Sequence, residues 1–270
     1  MRALPLENFW QAQGAHWIEE QGWKIPASFA GAELERASLT QTCGLTDQSH
    51  RGKILVTGND RTAFLNNMLT NDIRAIADGS GKRTLLLSAQ GKCLADFRVF
   101  AFENSLLLDT EPGLAADAIK LLAKFIITDD VILNDNTFDM IHLSFDGPQS
   151  PALFSKLKAL FTFGHTAVLD RHASLSGMPA VHLFIRTGDT AATAEKLKIL
   201  DLTLCGHAAF EQVRLAQRIP RFKIDFDENW FLNETGLDKT AASETKGCYP
   251  GQEVVAKINT YKKMAPRIFK

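Results

Sequence analysis

Apolar and polar residues repeat along the first half of the chain with periods that predict strands and helices. Apolar runs and alternation predict five strands, and apolar residues spaced three and four apart predict two helices. The predicted strands cover residues 53–58, 83–89, 93–102, 106–109 and 131–133. The helical stripes are Phe64, Leu65, Met68 and Leu69, after a capping Asp60, and Leu114, Ala118, Leu121, Leu122 and Phe125. Gln90-Gly91 predicts a hairpin turn.

A second stretch repeats the same kind of pattern with a different number of elements. Strands are predicted at 138–145, 166–170, 178–186 and 202–205, and helices at 151–161 and 190–198. The order β-α-β-β-α-β suits an antiparallel sheet with helices on one face. The fold class is therefore predicted as α+β, with two related antiparallel-sheet units and helices packed on them.

The remaining segments carry weaker patterns. Residues 1–30 show no clean period and predict an irregular lead-in, although they contain Trp10, Trp17 and Trp23. A helix is predicted at 208–217, and residues 222–243 read as irregular. An irregular segment of this length is more often functional than a simple connector. We expect an N-terminal unit at 1–135, a second unit at 136–206, a return segment at 207–257, and the start of a further, truncated domain at 258–270.

Charge and composition exclude several classes of protein. The chain has 270 residues, 30 Lys plus Arg, 31 Asp plus Glu, and a net charge of -1. This balance argues against a dedicated binder of nucleic acid or acidic membranes. No apolar run is long enough for a membrane span, and the N-terminus resembles no signal or transit peptide. Four cysteines without C-x-x-C spacing, and scattered histidines, support no metal site and predict a cytoplasmic protein with free thiols.

The most distinctive peptide is TKGCYPGQEVVA at residues 245–256. Gly247 and Gly251 bracket Cys248, and glycines let a backbone turn sharply and approach a ligand closely. The ammonium of Lys246 would lower the pKa of a nearby thiol, so Cys248 is a candidate reactive or metal-contacting group. Gln252 and Glu253 add an amide and a carboxylate within one turn. A small buried cysteine in a tight turn explains the same residues, and physical reasoning leaves both interpretations open.

These motifs resemble those of a known family. KGCYPGQE is similar to the signature of the YgfZ family, a branch of the glycine-cleavage T-protein (aminomethyltransferase) superfamily. Three further segments resemble the superfamily in the same order, so that the resemblance spans nearly the whole chain. They are GLTDQSHRGKILVTGNDRTAFLNNMLTNDI at 44–73, SAQGKCLADFRVF at 88–100 and VRLAQRIPRF at 213–222.

The resemblance implies a fold and a function. It implies three domains in an aminomethyltransferase folate-binding-like ring, with a central cavity that binds tetrahydrofolate. It also implies a role in iron–sulfur cluster assembly or repair that supports tRNA-modifying radical enzymes. Asp72 matches the aspartate that faces folate in the aminomethyltransferases, and Arg214 matches a family arginine near the cavity. Lys246, Cys248, Gln252 and Glu253 belong to the signature itself.

Three departures from the family pattern bear on function. The aminomethyltransferases carry a Gly-Tyr-Thr-Gly-Glu segment whose glutamate holds the pteridine, and the corresponding residues 175–180 here contain no glutamate. Lys257 replaces a usual arginine. The family's C-terminal barrel should follow residue 257, but only residues 258–270 remain, so that the barrel is largely absent from this chain.

Three functional hypotheses follow. The leading one is a folate-binding accessory protein for iron–sulfur enzymes, with Cys248 contacting a transient cluster that is shared with an assembly or client protein. One cysteine cannot hold a stable cluster alone. The alternative is a tetrahydrofolate-dependent aminomethyltransferase or demethylase, in which Asp72 orients the folate and proximity supplies most of the catalysis. The third is a binding module without ligand. Direct contacts with nucleic acid or membrane are not expected.

Overall fold

The computed structural model describes residues 1–261, so that most of the predicted barrel start at 258–270 lies outside the described residues. The described chain forms a mixed α/β fold of two compact units, each discontinuous in sequence. Unit 1 comprises residues 1–51 and 136–219, and unit 2 comprises residues 52–135 and 220 onwards. Among residues 1–261 no helix is long and apolar enough to cross a bilayer.

Unit 1 contains a small sheet, a larger sheet segment and five helices. The small sheet has the order β1-β3-β2, and the larger segment has the order β13-β4-β10-β12-β11. The strands are β1 (Arg2–Ala3), β2 (His16–Glu20), β3 (Trp23–Ser28), β4 (Gly44–Asp47), β10 (Met140–Asp146), β11 (His165–Leu169), β12 (Ala180–Arg186) and β13 (Thr203–Leu204). The helices are α1 (Glu7–Ala12), α2 (Ala32–Gln41), α5 (Phe154–Leu160), α6 (Thr190–Leu197) and α7 (His207–Ala216).

The described residues of unit 2 form an antiparallel sheet segment and three helices. Its strand order is β6-β7-β8-β5-β9. The strands are β5 (Gly52–Thr57), β6 (Ser80–Leu87), β7 (Cys93–Phe102), β8 (Ser105–Thr110) and β9 (Ile132–Asp135). The helices are α3 (Arg61–Met68), α4 (Ala115–Ala123) and α8 (Gln252–Tyr261). The predicted strands and helices of this stretch are confirmed to within a few residues. Asp60 occupies the N-cap position of α3, but its side chain accepts the amide of Asp130 and makes no capping hydrogen bond.

The expectation of an irregular lead-in over residues 1–30 is wrong. These residues form β1, α1, β2 and β3, and Gln21 and Gly22 both take positive φ at the turn between β2 and β3. Leu4, Leu6, Trp10, Trp23 and Ile25 are buried in the core of unit 1. The strands escaped prediction because they are short and their apolar positions are irregular, with a register shift between His16 and Trp17.

The division of the chain also differs from the predicted continuous units. Residues 1–51 pack with residues 136–219 because β4 pairs with β10 and with β13. The chain leaves unit 1 at Gly52 and returns to it at Asn136. The hydrogen bonds of β4 to strands that come far later in the chain therefore place residues 1–51 and 136–219 in one unit.

Residues 220–261, which include most of the predicted return segment 207–257, cover one face of the unit 2 sheet. Leu85, Leu87 and Cys93 of the sheet pack against an apolar set from this segment. That set is Phe222, Phe226, Leu232, Leu237, Ala241, Tyr249 and Val255. The predicted irregular stretch 222–243 is confirmed as irregular, with one 3-10 turn at Leu232–Glu234. Its apolar residues are spaced by the loop's contacts with the sheet and not by a helical or strand period.

Candidate functional site

The signature peptide of the return segment lies against the hairpin turn between β6 and β7. Gly251 takes a φ of +80°, and a Cβ added there would lie 2.5 Å from the carbonyl oxygen of Ser88 and 2.9 Å from the Cα of Gly91. Gly91 itself has a φ of +79°, and a Cβ added there would lie 3.1 Å from the side chain of Val254 in α8. Gly251 of the signature and Gly91 of the turn therefore allow the start of α8 to approach the turn closely.

Lys246 reaches from this peptide to the end of α3. Its Nζ donates to the carbonyl oxygen of Asn66, to that of Leu69 at 2.5 Å and to that of Asn71 at 3.2 Å. The same ammonium lies 5.2 Å from the centre of the Tyr249 ring. Burial lowers the pKa of Lys246 to about 8, while the nearby Asp72 raises that pKa and Arg74 lowers it.

The loop that carries Asp72 is tied to the return segment by further hydrogen bonds. Thr70 Oγ1 donates to the carbonyl of Ala241 at 2.6 Å, and the amide of Ser243 donates to the carbonyl of Thr70 at 3.0 Å. The Asn71 side chain donates to the carbonyls of Arg83 and Thr240 at 2.9 and 3.3 Å. These hydrogen bonds therefore fix the backbone of residues 69–72 between the sheet and the signature peptide.

Asp72 is half-buried, and its carboxylate is only partly satisfied. Oδ1 accepts the backbone N–H of Arg74 at 3.1 Å. Within residues 1–261 its second oxygen accepts no hydrogen bond. A fixed, half-exposed carboxylate with a free acceptor can bind a ligand that presents N–H donors.

Cys248 is exposed, which rules out the interpretation as a buried structural cysteine. Its thiol has no hydrogen-bond partner in the described part of the chain, and the other three cysteines are buried free thiols. Burial raises the pKa of Cys43 and of Cys93 to about 12. Cys248 is therefore the one cysteine that solvent and macromolecules can reach.

Gln252 and Glu253 begin α8. The amide of Gln252 donates to the carbonyl of Tyr249 at 3.2 Å, which closes the turn before the helix. Glu253 is exposed and pairs with Lys257 at 2.7 Å, and this bond lowers the pKa of the glutamate. Lys257, which departs from the family pattern, keeps a charge that pairs along the helix.

Arg214 belongs to unit 1, whereas Asp72, Lys246, Cys248, Gln252 and Glu253 belong to unit 2. Arg214 is buried on α7, where it pairs with Glu211 at 2.8 Å and donates to the carbonyl of Ile219 at 2.6 Å. These contacts stabilise the end of α7.

The segment that lacks the family glutamate is also buried in unit 1. Ser176 has no exposed surface, and its hydroxyl donates to Asp146 at 2.5 Å. Burial raises the pKa of Asp146 to about 6, partly offset by the hydroxyls of Ser144 and Ser176. Residues 175–180 contribute a hydroxyl to a buried carboxylate and contain no carboxylate of their own.

Sequence reasoning missed the residues that shape the Asp72 loop. Thr70, Asn71 and Tyr249 were not singled out. Thr70 and Asn71 donate to backbone carbonyls and Tyr249 presents its ring to Lys246, and neither kind of contact leaves a spacing motif. The only sequence signal for their role was that they lie beside Asp72 and Cys248 in the chain. In residues 1–261 no group of three or more His, Cys, Asp or Glu is arranged to hold a metal ion.

Comparison with known proteins shows the family to which the chain belongs. The model of the GCVT N-terminal domain matches residues 6–183. An aminomethyltransferase of Bacillus subtilis is 26% identical over 95% of the chain and 75% of its own length. A putative chloroplastic transferase of Arabidopsis thaliana is 27% identical over 83% of the chain, but the match spans only 55% of that relative.

A solved structure shares the fold. The glycine cleavage system aminomethyltransferase T from Bartonella henselae superposes with a TM-score of 0.81 at 20% identity. The match covers 98% of this chain and 76% of that structure. The fold class predicted from sequence is therefore confirmed, and no closed barrel is formed by residues 1–261.

Proposed function

Because the chain belongs to the GCVT N-terminal domain family, we propose that it binds tetrahydrofolate and acts in one-carbon, aminomethyl-type transfer. The observation that carries the proposal is the Asp72 carboxylate, which is held on a fixed loop with one oxygen open. The relatives named aminomethyltransferase support the same class of chemistry. This was the alternative hypothesis from sequence, and the relatives favour it over iron–sulfur cluster assembly.

The chemistry of Asp72 fits the ligand. A pteridine presents an amino group and ring N–H donors, and a carboxylate is the strongest neutral-pH acceptor for such groups. When bound, tetrahydrofolate supplies the nitrogen atoms that carry the one-carbon unit. The role of Asp72 is to orient the ring, and correct orientation of two reactants supplies a large part of a rate enhancement.

The absence of a glutamate at residues 175–180 raises the contribution that we expect from Asp72. One carboxylate that holds the pteridine in the aminomethyltransferases is missing there, so that Asp72 carries a larger share of ligand orientation. The substitution of Asp72 should therefore have a large effect.

An assay of the transfer tests the proposal. The protein is incubated anaerobically with tetrahydrofolate and S-aminomethyl thiol donors, whose carbon is already at the oxidation level of formaldehyde. Transfer of that carbon to tetrahydrofolate releases ammonia and the free thiol without an oxidant, and methylenetetrahydrofolate is measured. We expect tetrahydrofolate-dependent product with at least one donor, and its loss in Asp72→Asn. Asp78→Asn, at an exposed position six residues later, is the matched control and should retain activity. Product formation that is insensitive to Asp72→Asn would contradict the assignment.

A second candidate rests on the exposed thiol of Cys248 in KGCYPGQE. In a YgfZ-like role the protein would support iron–sulfur enzymes, and Cys248 would contact a transient cluster completed by a partner protein. Loss of radical tRNA-modifying activity in cells that carry Cys248→Ala, with tetrahydrofolate binding retained, would favour this role. Normal tRNA-modifying activity in those cells would exclude this role. Four free cysteines fit a reducing compartment, and we propose the cytoplasm.

A further inference from the structure

The ammonium of Lys246 is directed at backbone carbonyls and not at the thiol two residues later. Its three acceptors are the carbonyl oxygens of Asn66, Leu69 and Asn71. A protonated lysine has three N–H donors, whereas a neutral amine has two. The charged form alone can therefore satisfy all three carbonyls at once.

These carbonyls lie at and just beyond the C-terminal end of a helix, where a cation is stabilising. α3 ends at Met68, and the last carbonyls of a helix lack partners within the helix and carry its partial negative charge. Leu69 and Asn71 continue from that end into the loop, and Asp72 follows Asn71 directly. The charged groups that face Lys246 from this loop are Asp72 and Arg74.

We propose that Lys246 is a positioning residue, which holds the loop of residues 69–72 so that the Asp72 carboxylate is presented to folate. The signature peptide KGCYPGQE then has two separate parts, a lysine that shapes the Asp72 loop and a cysteine that is presented to solvent. The ligand in this inference rests on the proposed function, whereas the contacts of Lys246 do not.

A dependence of folate affinity on pH follows from this role. The contacts require the ammonium, and burial lowers the pKa of Lys246 to about 8 against the opposing effect of Asp72. Above that pH the protonated fraction falls about tenfold per unit. Binding of tetrahydrofolate should weaken correspondingly between pH 7 and pH 9.5, because the loop loses the cation that fixes it.

The experiment is an anaerobic calorimetric titration with tetrahydrofolate at pH 6.5, 7.5, 8.5 and 9.5. We expect Lys246→Met to bind about 10-fold or more weakly at pH 7.5 and to lose the decline with pH. Lys246→Arg keeps the charge and should restore part of the affinity without the decline. Lys239→Met, at an exposed position of the same segment, is the matched control. Wild-type affinity and an unchanged pH profile in Lys246→Met would overturn the inference.

The thiol provides an independent readout. The rate at which iodoacetamide alkylates Cys248 is measured against pH in the wild type and in Lys246→Met. If Lys246 positions the loop, the two alkylation profiles coincide. A shift of the alkylation profile to higher pH in Lys246→Met would show that the ammonium stabilises the Cys248 thiolate, and it would contradict the proposed role.

Amide hydrogen exchange separates this inference from the proposed function. If the wild type does not bind tetrahydrofolate, the proposed function fails, but the contacts of Lys246 can still be tested without ligand. We expect faster exchange at Leu69, Asn71 and Ile73 in Lys246→Met, with unchanged exchange in unit 1. Their amides bond to Leu65, Thr84 and Asn66 in the wild type. Unchanged exchange at these amides would overturn the role of Lys246.

Discussion

At the scale of single residues, the two glycines of the signature have different tasks. Gly251 has a positive φ, and a Cβ added to it would lie too close to the backbone of Ser88 and Gly91 for a side chain to fit. Gly247 has no neighbour within 4 Å of an added Cβ and no positive φ. The close approach of α8 to the β6–β7 turn therefore depends on Gly251 alone of the pair.

This difference predicts the effects of two matched substitutions. We expect Gly251→Ala to lower the free energy of unfolding by about 1–3 kcal/mol, because it adds both backbone strain and a steric clash. Gly247→Ala should change the unfolding free energy by about 0.5 kcal/mol or less. Urea denaturation of the two variants measures both values, and equal losses would contradict the assigned contact.

The chemistry of the site residues was partly visible in the sequence. KGCYPGQE and Asp72 were singled out from residue types and from the family resemblance, and the structure brings Lys246 close to the Asp72 loop. The acceptors of Lys246 could not be predicted, because carbonyl oxygens are present at every residue and only the fold selects three of them. Sequence reasoning therefore paired Lys246 with its neighbour Cys248 instead.

At the scale of elements, Glu35 joins three segments of unit 1. Its Oε1 accepts the amides of Phe29, Ala30 and Gly31, and its Oε2 accepts the amide of Gly206 at 2.8 Å. The first three amides lie between β3 and α2, and Gly206 is the N-cap of α7. One buried carboxylate thus satisfies backbone donors that would otherwise be buried without acceptors.

Glu35→Gln tests this junction. The substitution replaces one acceptor oxygen by an N–H₂ group that faces backbone donors, and hydrogen bonds to charged groups contribute about 1.5–3 kcal/mol each. We expect the free energy of unfolding to fall by about 2–4 kcal/mol, since more than one bond is affected. Glu33→Gln, exposed on the same helix, is the control and should be nearly neutral. A neutral Glu35→Gln would contradict the assignment.

Elements with a strong period were predictable, and elements defined by distant contacts were not. β6 and β7 were predicted because their apolar runs flank a Gln-Gly turn. β2 and β3 were missed because Glu19, Glu20 and Lys24 interrupt any apolar alternation, and Pro26 lies within β3. The buried face of these strands is recognisable only once Trp23 and Ile25 meet the rest of unit 1.

At the scale of the whole molecule, ionisable side chains are buried in both units. In unit 2 the strand registers align Lys53 with Asp109, Asp109 with Arg98, and Arg98 with Arg83. All four have 1% exposure or less, and Arg83 forms a buried ion pair with Asp96 at 2.6 Å. In unit 1 the buried carboxylate of Asp146 is held by two serine hydroxyls. Charged residues on strands are easily taken for surface positions, so that neither feature was predicted.

Asp146 makes the stability of the protein depend on pH. Its folded-state pKa is raised from 3.8 to about 6, so that the native state binds the proton more tightly than the unfolded state. The resulting stabilisation is fully present below about pH 4 and is lost as the pH rises through about 6. A shift of this size corresponds to about 3 kcal/mol.

Urea denaturation between pH 3.5 and pH 7.5 tests this dependence. Asp146→Asn should remove a decline of about 3 kcal/mol that the wild type shows across this range, relative to the exposed-site control Asp139→Asn. Parallel pH profiles of the wild type and Asp146→Asn would exclude a raised pKa for Asp146.

The central claim is that Asp72, on a loop fixed by the signature peptide, binds tetrahydrofolate. The most direct measurement is an anaerobic calorimetric titration of the wild type, Asp72→Asn and Asp78→Asn at pH 7. We predict saturable binding by the wild type and by Asp78→Asn, and a loss of about 10- to 100-fold in affinity in Asp72→Asn, as expected for a charge-assisted hydrogen bond. Equal affinity in all three proteins, or no binding by the wild type, would contradict the claim.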